Sequence, residues 1–117
     1  MNRKSIGREA ELFVGSTLEG QGYTICAYNY QKAFGEVDII ARKDNALLFV
    51  EVKCRTNPLF DVHTIITRSK QKKIIAVAKY FMMANNCDDC SAQFDVAFVT
   101  PQGNHFISEY IPNAFNE

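Results

Sequence analysis

No apolar run in the chain approaches the roughly 20 residues needed to cross a bilayer, so no membrane partner is expected. The opening stretch "MNRKSIGREAELFVG" carries charge but lacks an apolar h-region. That argues against a secretory leader and for the cytoplasm. Net charge is absent as well, because 13 basic and 13 acidic residues cancel. The balance weighs against coating nucleic acid through bulk charge alone. No internal repeat, low-complexity segment or linker divides the 117 residues, and one domain with one core is the expectation. Among the four cysteines, Cys87 and Cys90 form "CDDC", but no second CxxC or HxxxH pair completes a zinc site. Reduced loop thiols are the expected reading.

What the chain does have is periodicity. Ile6, Ala10, Phe13, Val14 and Leu18 recur at helical steps, predicting a helix from Ser5 to about Glu19 that Gly20 and Gly22 end. Aromatic and β-branched residues predict a strand over Tyr23–Tyr30, and "QKAFG" reads as a turn. Two further strands, Glu36–Arg42 and Ala46–Arg55, meet at Asp44-Asn45. "TNPLFDVHT" reads as a loop. A second helix follows from Thr67 to about Ala84, with Ile74, Ile75, Val77, Ala78 and Phe81 on its core face. After the polar stretch "NNCDDCS" come strands over Phe94–Thr100 and His105–Ile111, with fraying beyond. The order α-β-β-β-α-β-β predicts an α/β layer fold around a mixed central sheet.

The third and fourth elements carry the chemistry. Side chains alternate across a strand, so Glu36, Asp38 and Ile40 are expected on one face. Leu47, Phe49, Glu51 and Lys53 are expected on one face of the next strand. A two-residue turn pairs Lys43 with Ala46, which sets Asp38 opposite Glu51 and Glu36 opposite Lys53. Opposed Cβ atoms lie roughly 4.5–5.5 Å apart. Two acids that close, among apolar neighbours, require either a shared proton or a cation between them. Mg²⁺ needs only one or two carboxylates and keeps other positions for water and phosphate. Lys53 would then face the same phosphate, which suits metal-assisted phosphodiester cleavage. The competing reading is a structural ion-pair cluster of Lys53 with Glu36 and Asp38, which a one-residue shift in register would favour.

"GEVD", followed after twelve residues by "EVK", resembles the signature of PD-(D/E)xK nucleases, the restriction-endonuclease-like fold. With "GREAE", "GYTICAYNY", "LFVEVKCR" and "FDVAFV" in this order, the chain is similar to the YraN-like family within that superfamily. By motif it is akin to archaeal Holliday-junction resolvases. The resemblance implies Asp38 and Glu51 as metal ligands, Lys53 as catalytic lysine, and Glu11 as the first-helix acid completing the metal shell. It makes Glu36 an auxiliary ligand or a structural partner, and Asp95 structural. Arg55 and the helix lysines Lys70, Lys72 and Lys73 resemble phosphate-contact positions. The implied cofactor is Mg²⁺ or Mn²⁺, and the implied substrate is DNA, branched or otherwise structured. Two-fold cuts on such DNA would favour a homodimer. Val37 replaces the motif's proline, Cys54 fills a slot usually small or hydroxylated, and Asp61 and Gln93 depart from the family's glycine and arginine. Fold does not fix function, so a non-catalytic nucleic-acid- or protein-binding module is the alternative.

Two neutral readings complete the set. Tyr23, Tyr28, Tyr30 and Phe34 fit a strand core better than a base-stacking surface. Without the acid–lysine motif, the basic helix would be an ordinary solvated face.

Overall fold

Hydrophobic alternation and one helical stripe on each side produce a sheet with a helix on either face. The structure, a computed structural model, describes residues 3–54 and 66–117, with side chains from Ile6 onward. Arg55 and the loop readings at Pro58, Phe60, Asp61 and His63 lie outside the described residues. The elements are α1 (Arg3–Gly20), β1 (Thr24–Lys32), β2 (Gly35–Lys43), β3 (Ala46–Cys54), α2 (Arg68–Ala84), β4 (Ser91–Gln102) and β5 (His105–Phe115). They form a five-stranded sheet in the order β1-β2-β3-β4-β5. All pairings are antiparallel except β3 with β4, which are parallel. The sheet is therefore mixed, as expected, and the parallel pair is joined across α2.

The β2–β3 turn behaves as its sequence requires. Lys43 pairs with Ala46, and Asp44 takes a left-handed φ of 54°, which Asp tolerates. Below the turn, Val37, Ile40, Leu47 and Phe49 pack against Ile74, Val77, Ala78 and Phe81 of α2. On the opposite face, Ile39, Ala41, Leu48 and Val50 pack against Ala10, Val14 and Leu18 of α1. The five α2 residues expected in the core are all buried, and Gln71 joins them. Gln71 is satisfied there, donating to the Ile66 carbonyl at 3.0 Å and accepting from Arg68 at 3.0 Å. Among the described residues, no helix is long and apolar enough to cross a membrane.

Several boundaries differ from the sequence reading. Helix α1 begins at Arg3, so Ser5 lies inside it rather than capping it. Strand β1 runs on to Lys32 and shortens the turn to Ala33 and Phe34. Strand β5 continues to Phe115 instead of fraying after Ile111, because Phe115 stacks on Phe94 at 5.3 Å and is buried. Strand β4 starts at Ser91, where the Ser91 N–H donates to the Asn45 carbonyl at 2.8 Å. Cys87 and Cys90 are free thiols in the connection from α2 to β4, as expected, and are buried there; Cys87 Sγ accepts a hydrogen bond from Arg42 at 3.0 Å. Asp95 is structural, as the resemblance implied. It is 1% exposed, accepts from Tyr110 and from the Asn113 N–H, and sits where the β4–β5 register shifts.

Candidate active site

Strict alternation fails at Asn29 and Asp38, and that failure makes the site. Ala27 and Tyr30 of β1 both pack on the α2 side, although they are an odd three positions apart. Val37 and Ile40 of β2 do the same. The intervening Tyr28 and Ile39 pack on the α1 side. The register flanks leave Asn29 facing Asp38, between the Tyr28–Ile39 and Tyr30–Val37 pairs. Asn29 has a φ of 51°, a left-handed conformation that Asn adopts more readily than most residues. Both strands therefore kink at the same rung, and the residues beyond it change sides.

Glu36 is one of them. Asn29 Nδ2 donates to Glu11 Oε2 at 3.0 Å and reaches Glu36 Oε1 at 3.4 Å, which places Glu36 toward α1. Ile40 faces α2, so the expectation that Glu36, Asp38 and Ile40 share a face does not hold. Nor does Glu36 pair with Lys53, because the β2–β3 ladder ends at Ile39–Val50. The next N–H that would continue the ladder belongs to Val52. It donates to Asp38 Oδ2 at 2.8 Å, so a carboxylate stands in for the strand partner. Here β2 and β3 part, and Asp38 is fixed at the fork.

The fork opens into a cleft of about 960 Å³. Glu11 of α1, Glu36 and Asp38 of β2, Glu51 and Lys53 of β3, and Lys70 and Lys73 of α2 all line it. Lys72 is exposed and does not. Cys54 borders the cleft beside Lys53. Leu47 and Phe49 pack toward α2, and Glu51 and Lys53, on the same face, meet Lys70 there.

The electrostatics follow from this enclosure. Burial pushes the Asp38 carboxyl up from 3.8 to about 6. The Val52 N–H opposes the rise, the charges of Glu11 and Glu36 add to it, and Lys53 opposes it. Burial pushes Glu51 up from 4.5 to about 8; the neighbouring Asp38 charge adds to this, while Lys53 and Lys70 oppose it. Two carboxylates thus sit where their charge is poorly solvated, and the two ammoniums do not fully compensate. Lys70 is held below its ordinary value, first by a hydrogen bond with the Lys53 amine and then by burial. Glu11 is tied by Asn29 and by Arg8, whose Nη1 lies 3.7 Å from Glu11 Oε1. Among the described residues, no three His, Cys, Asp or Glu side chains converge closely enough to cage an ion.

Sequence reasoning foresaw Asp38, Glu51, Lys53, Glu11 and Lys70 near one site but missed Asn29. The available signal was an Asn, a residue tolerant of left-handed backbone, inside the aromatic strand "TICAYNYQK". Arg8, which donates to Asn29 Oδ1 at 3.4 Å and lies 4.9 Å from the Tyr28 ring centre, was also missed.

Fold and site together define a class: a mixed-sheet α/β protein, with two helices among the described residues, whose sheet forks around a largely enclosed acid pair with two lysines. The particular family follows from comparison. Residues 10–99 match the model of Uncharacterised protein family UPF0102, and the chain belongs to that family. It is 36% identical to a UPF0102 protein of Dictyoglomus turgidum over 98% of this chain and 100% of that one. It is 38% identical to another from Desulforapulum autotrophicum over 97% and 94% of the two chains. A third, from Saccharophagus degradans, is 38% identical over 93% and 91%.

Proposed function

We propose that this chain is a Mg²⁺- or Mn²⁺-dependent phosphodiesterase of the PD-(D/E)xK type that cleaves DNA. The observation that supports this most is the placement of Asp38, half-buried, and Glu51, buried, both held above their ordinary values, beside Lys53 and Lys70. A divalent cation fits such a donor set: hard oxygen ligands, uncompensated charge and an open cleft. Asp38 and Glu51 would hold it, and two protein carboxylates suffice for Mg²⁺. Glu11 adds negative charge from the α1 side while tethered by Asn29.

When bound, the cation supplies Lewis acidity toward a phosphate oxygen and makes a nucleophile available at neutral pH. The protein's own groups do the remainder. The Val52 N–H keeps Asp38 Oδ2 in place, so one ligand is pre-oriented. Lys53 and Lys70, side by side, bind non-bridging phosphate oxygens and stabilise the charge that develops there. Their mutual repulsion is relieved by a phosphate between them. Lys73, at the cleft wall, extends the anion-binding surface along α2. Branched or structured DNA as substrate, and a homodimer acting on it, are extensions of the same reading.

The test is cleavage of a panel of single-stranded, duplex and branched DNA with Mg²⁺ or Mn²⁺. Wild type should cleave at least one substrate, and Lys53→Ala should not. Indistinguishable behaviour of the two proteins across the panel would refute the enzymatic reading. Because no three carboxylates converge closely among the described residues, a non-catalytic module is the second reading. It predicts DNA affinity without metal binding, unchanged in Asp38→Asn.

A further inference from the structure

The β1–β2 turn presents a feature that core packing does not explain. Phe34 sits at the turn with 46% of its surface exposed, and Tyr80 of α2 is 37% exposed. Neither belongs to the hydrophobic clusters on the two sheet faces. Their rings nevertheless meet, 6.2 Å apart and inclined at 70°. Tyr23, Tyr28 and Tyr30 are half-buried and pack on the core, as the sequence suggested, so Phe34 is the exception among the four. Lys32 Nζ lies 4.6 Å from the Tyr80 ring centre and 5.1 Å from that of Tyr30.

The pair is continuous with the cleft. A Cβ on Gly35 would lie 3.0 Å from Val77 Cγ2 and 3.1 Å from the Lys73 carbonyl, so the turn is seated directly on α2. Gly35 and Lys73 both line the cleft. From Lys73, Tyr80 is seven residues along the helix, about 10 Å by helical rise. Helix α2 has five basic residues and no acidic one. The nearest acid in the turn, Glu36, is directed to Asn29. Rings with a cation beside them, next to a basic cleft, match an unpaired strand: bases stack on the rings and phosphates meet the lysines.

We propose that Phe34 and Tyr80 form a stacking platform for unpaired bases, so that the cleft takes nucleic acid with a single-stranded segment lying along α2. This rests on the nucleic-acid reading of the cleft, but its test does not depend on hydrolysis. Binding of a fluorescein-labelled oligothymidylate of about 20 nucleotides is followed by anisotropy in EDTA at about 50 mM salt, where phosphate contacts are strong. The same measurement is made on a blunt duplex of equal length. Loss of one stacked base costs about 1–3 kcal/mol, or roughly 5- to 150-fold. The double variant Phe34→Ala, Tyr80→Ala should therefore weaken single-strand binding by about tenfold or more. Duplex binding should change less than about twofold, and Phe34→Tyr with Tyr80→Phe should bind like wild type. Both residues are exposed, and circular dichroism should show an unaltered fold.

The proposal is overturned by single-strand affinity unchanged in the double alanine variant, by equal loss on duplex, or by no single-strand binding in wild type. A wild-type dimer in sedimentation that the double variant dissolves, with oligothymidylate affinity unaffected, would assign the patch to a second copy and also overturn it. If hydrolysis still fails in Lys53→Ala, the cleft reading survives the loss of the platform.

Discussion

Replacing Glu51 with Gln should stabilise the metal-free protein at alkaline pH. The folded-state carboxyl is raised from 4.5 to about 8 by burial and by Asp38. A raised acid binds its proton more tightly in the folded chain than in the unfolded one, so stability is greatest below the unfolded value. It is then lost as pH climbs through the folded value. For Glu51 that window runs from about pH 4.5 to about pH 8. At about 1.4 kcal/mol per pKa unit, the loss between pH 5 and pH 8.5 is at most about 4 kcal/mol. Gln keeps the shape and removes the charge. Urea denaturation in EDTA should find Glu51→Gln within about 1 kcal/mol of wild type at pH 5 and about 2–4 kcal/mol more stable at pH 8.5. Millimolar Mg²⁺ should recover wild type at pH 8.5 and leave the variant where it was. A salt bridge from Glu51 to Lys53 would give the opposite result. If Glu51 were chiefly a salt-bridge partner of Lys53, the variant would be destabilised at pH 8.5, and the reasoning here would be refuted.

Other consequences are smaller in scope. Lys70→Met should weaken DNA binding and reduce the slope of log affinity against log salt by about one, while Lys72→Met, outside the cleft, should change it less. Asn29→Ala removes the polar side chain that eases the left-handed backbone and also frees Glu11, so thermal denaturation should show a loss of about 1–2 kcal/mol. Asn29→Gly should recover most of the stability without restoring the tether. Gly35→Ala forces a Cβ against Val77 and the Lys73 carbonyl, and chemical denaturation should show a cost of about 1–3 kcal/mol.

The hairpin was legible in the sequence because short-range rules govern it. Asp44-Asn45 defines a two-residue turn, and alternation then places Leu47, Phe49, Glu51 and Lys53 together. Helix α2 was legible for the same reason, since its core face is a helical stripe. Alternation could not reveal that it stops holding at Asn29 and Asp38. Both residues sit within runs that read as regular strand, and the kink needs two strands acting at one rung. So Glu36 was assigned to the wrong side, and the fork that makes the cleft was not foreseen. The full length of β5 was hidden similarly, because Phe115 is held by stacking on Phe94, a contact distant in sequence. Where side chains obey their own strand, the site was readable; where a neighbouring strand overrides them, it was not.

The most direct measurement is the anomalous difference density of crystals soaked in Mn²⁺. A peak between the carboxylates of Asp38 and Glu51, absent in crystals of Asp38→Asn, is the predicted result. Well-ordered side chains at the fork with no peak between them, at Mn²⁺ concentrations that saturate other sites, would contradict a metal-dependent role for the cleft.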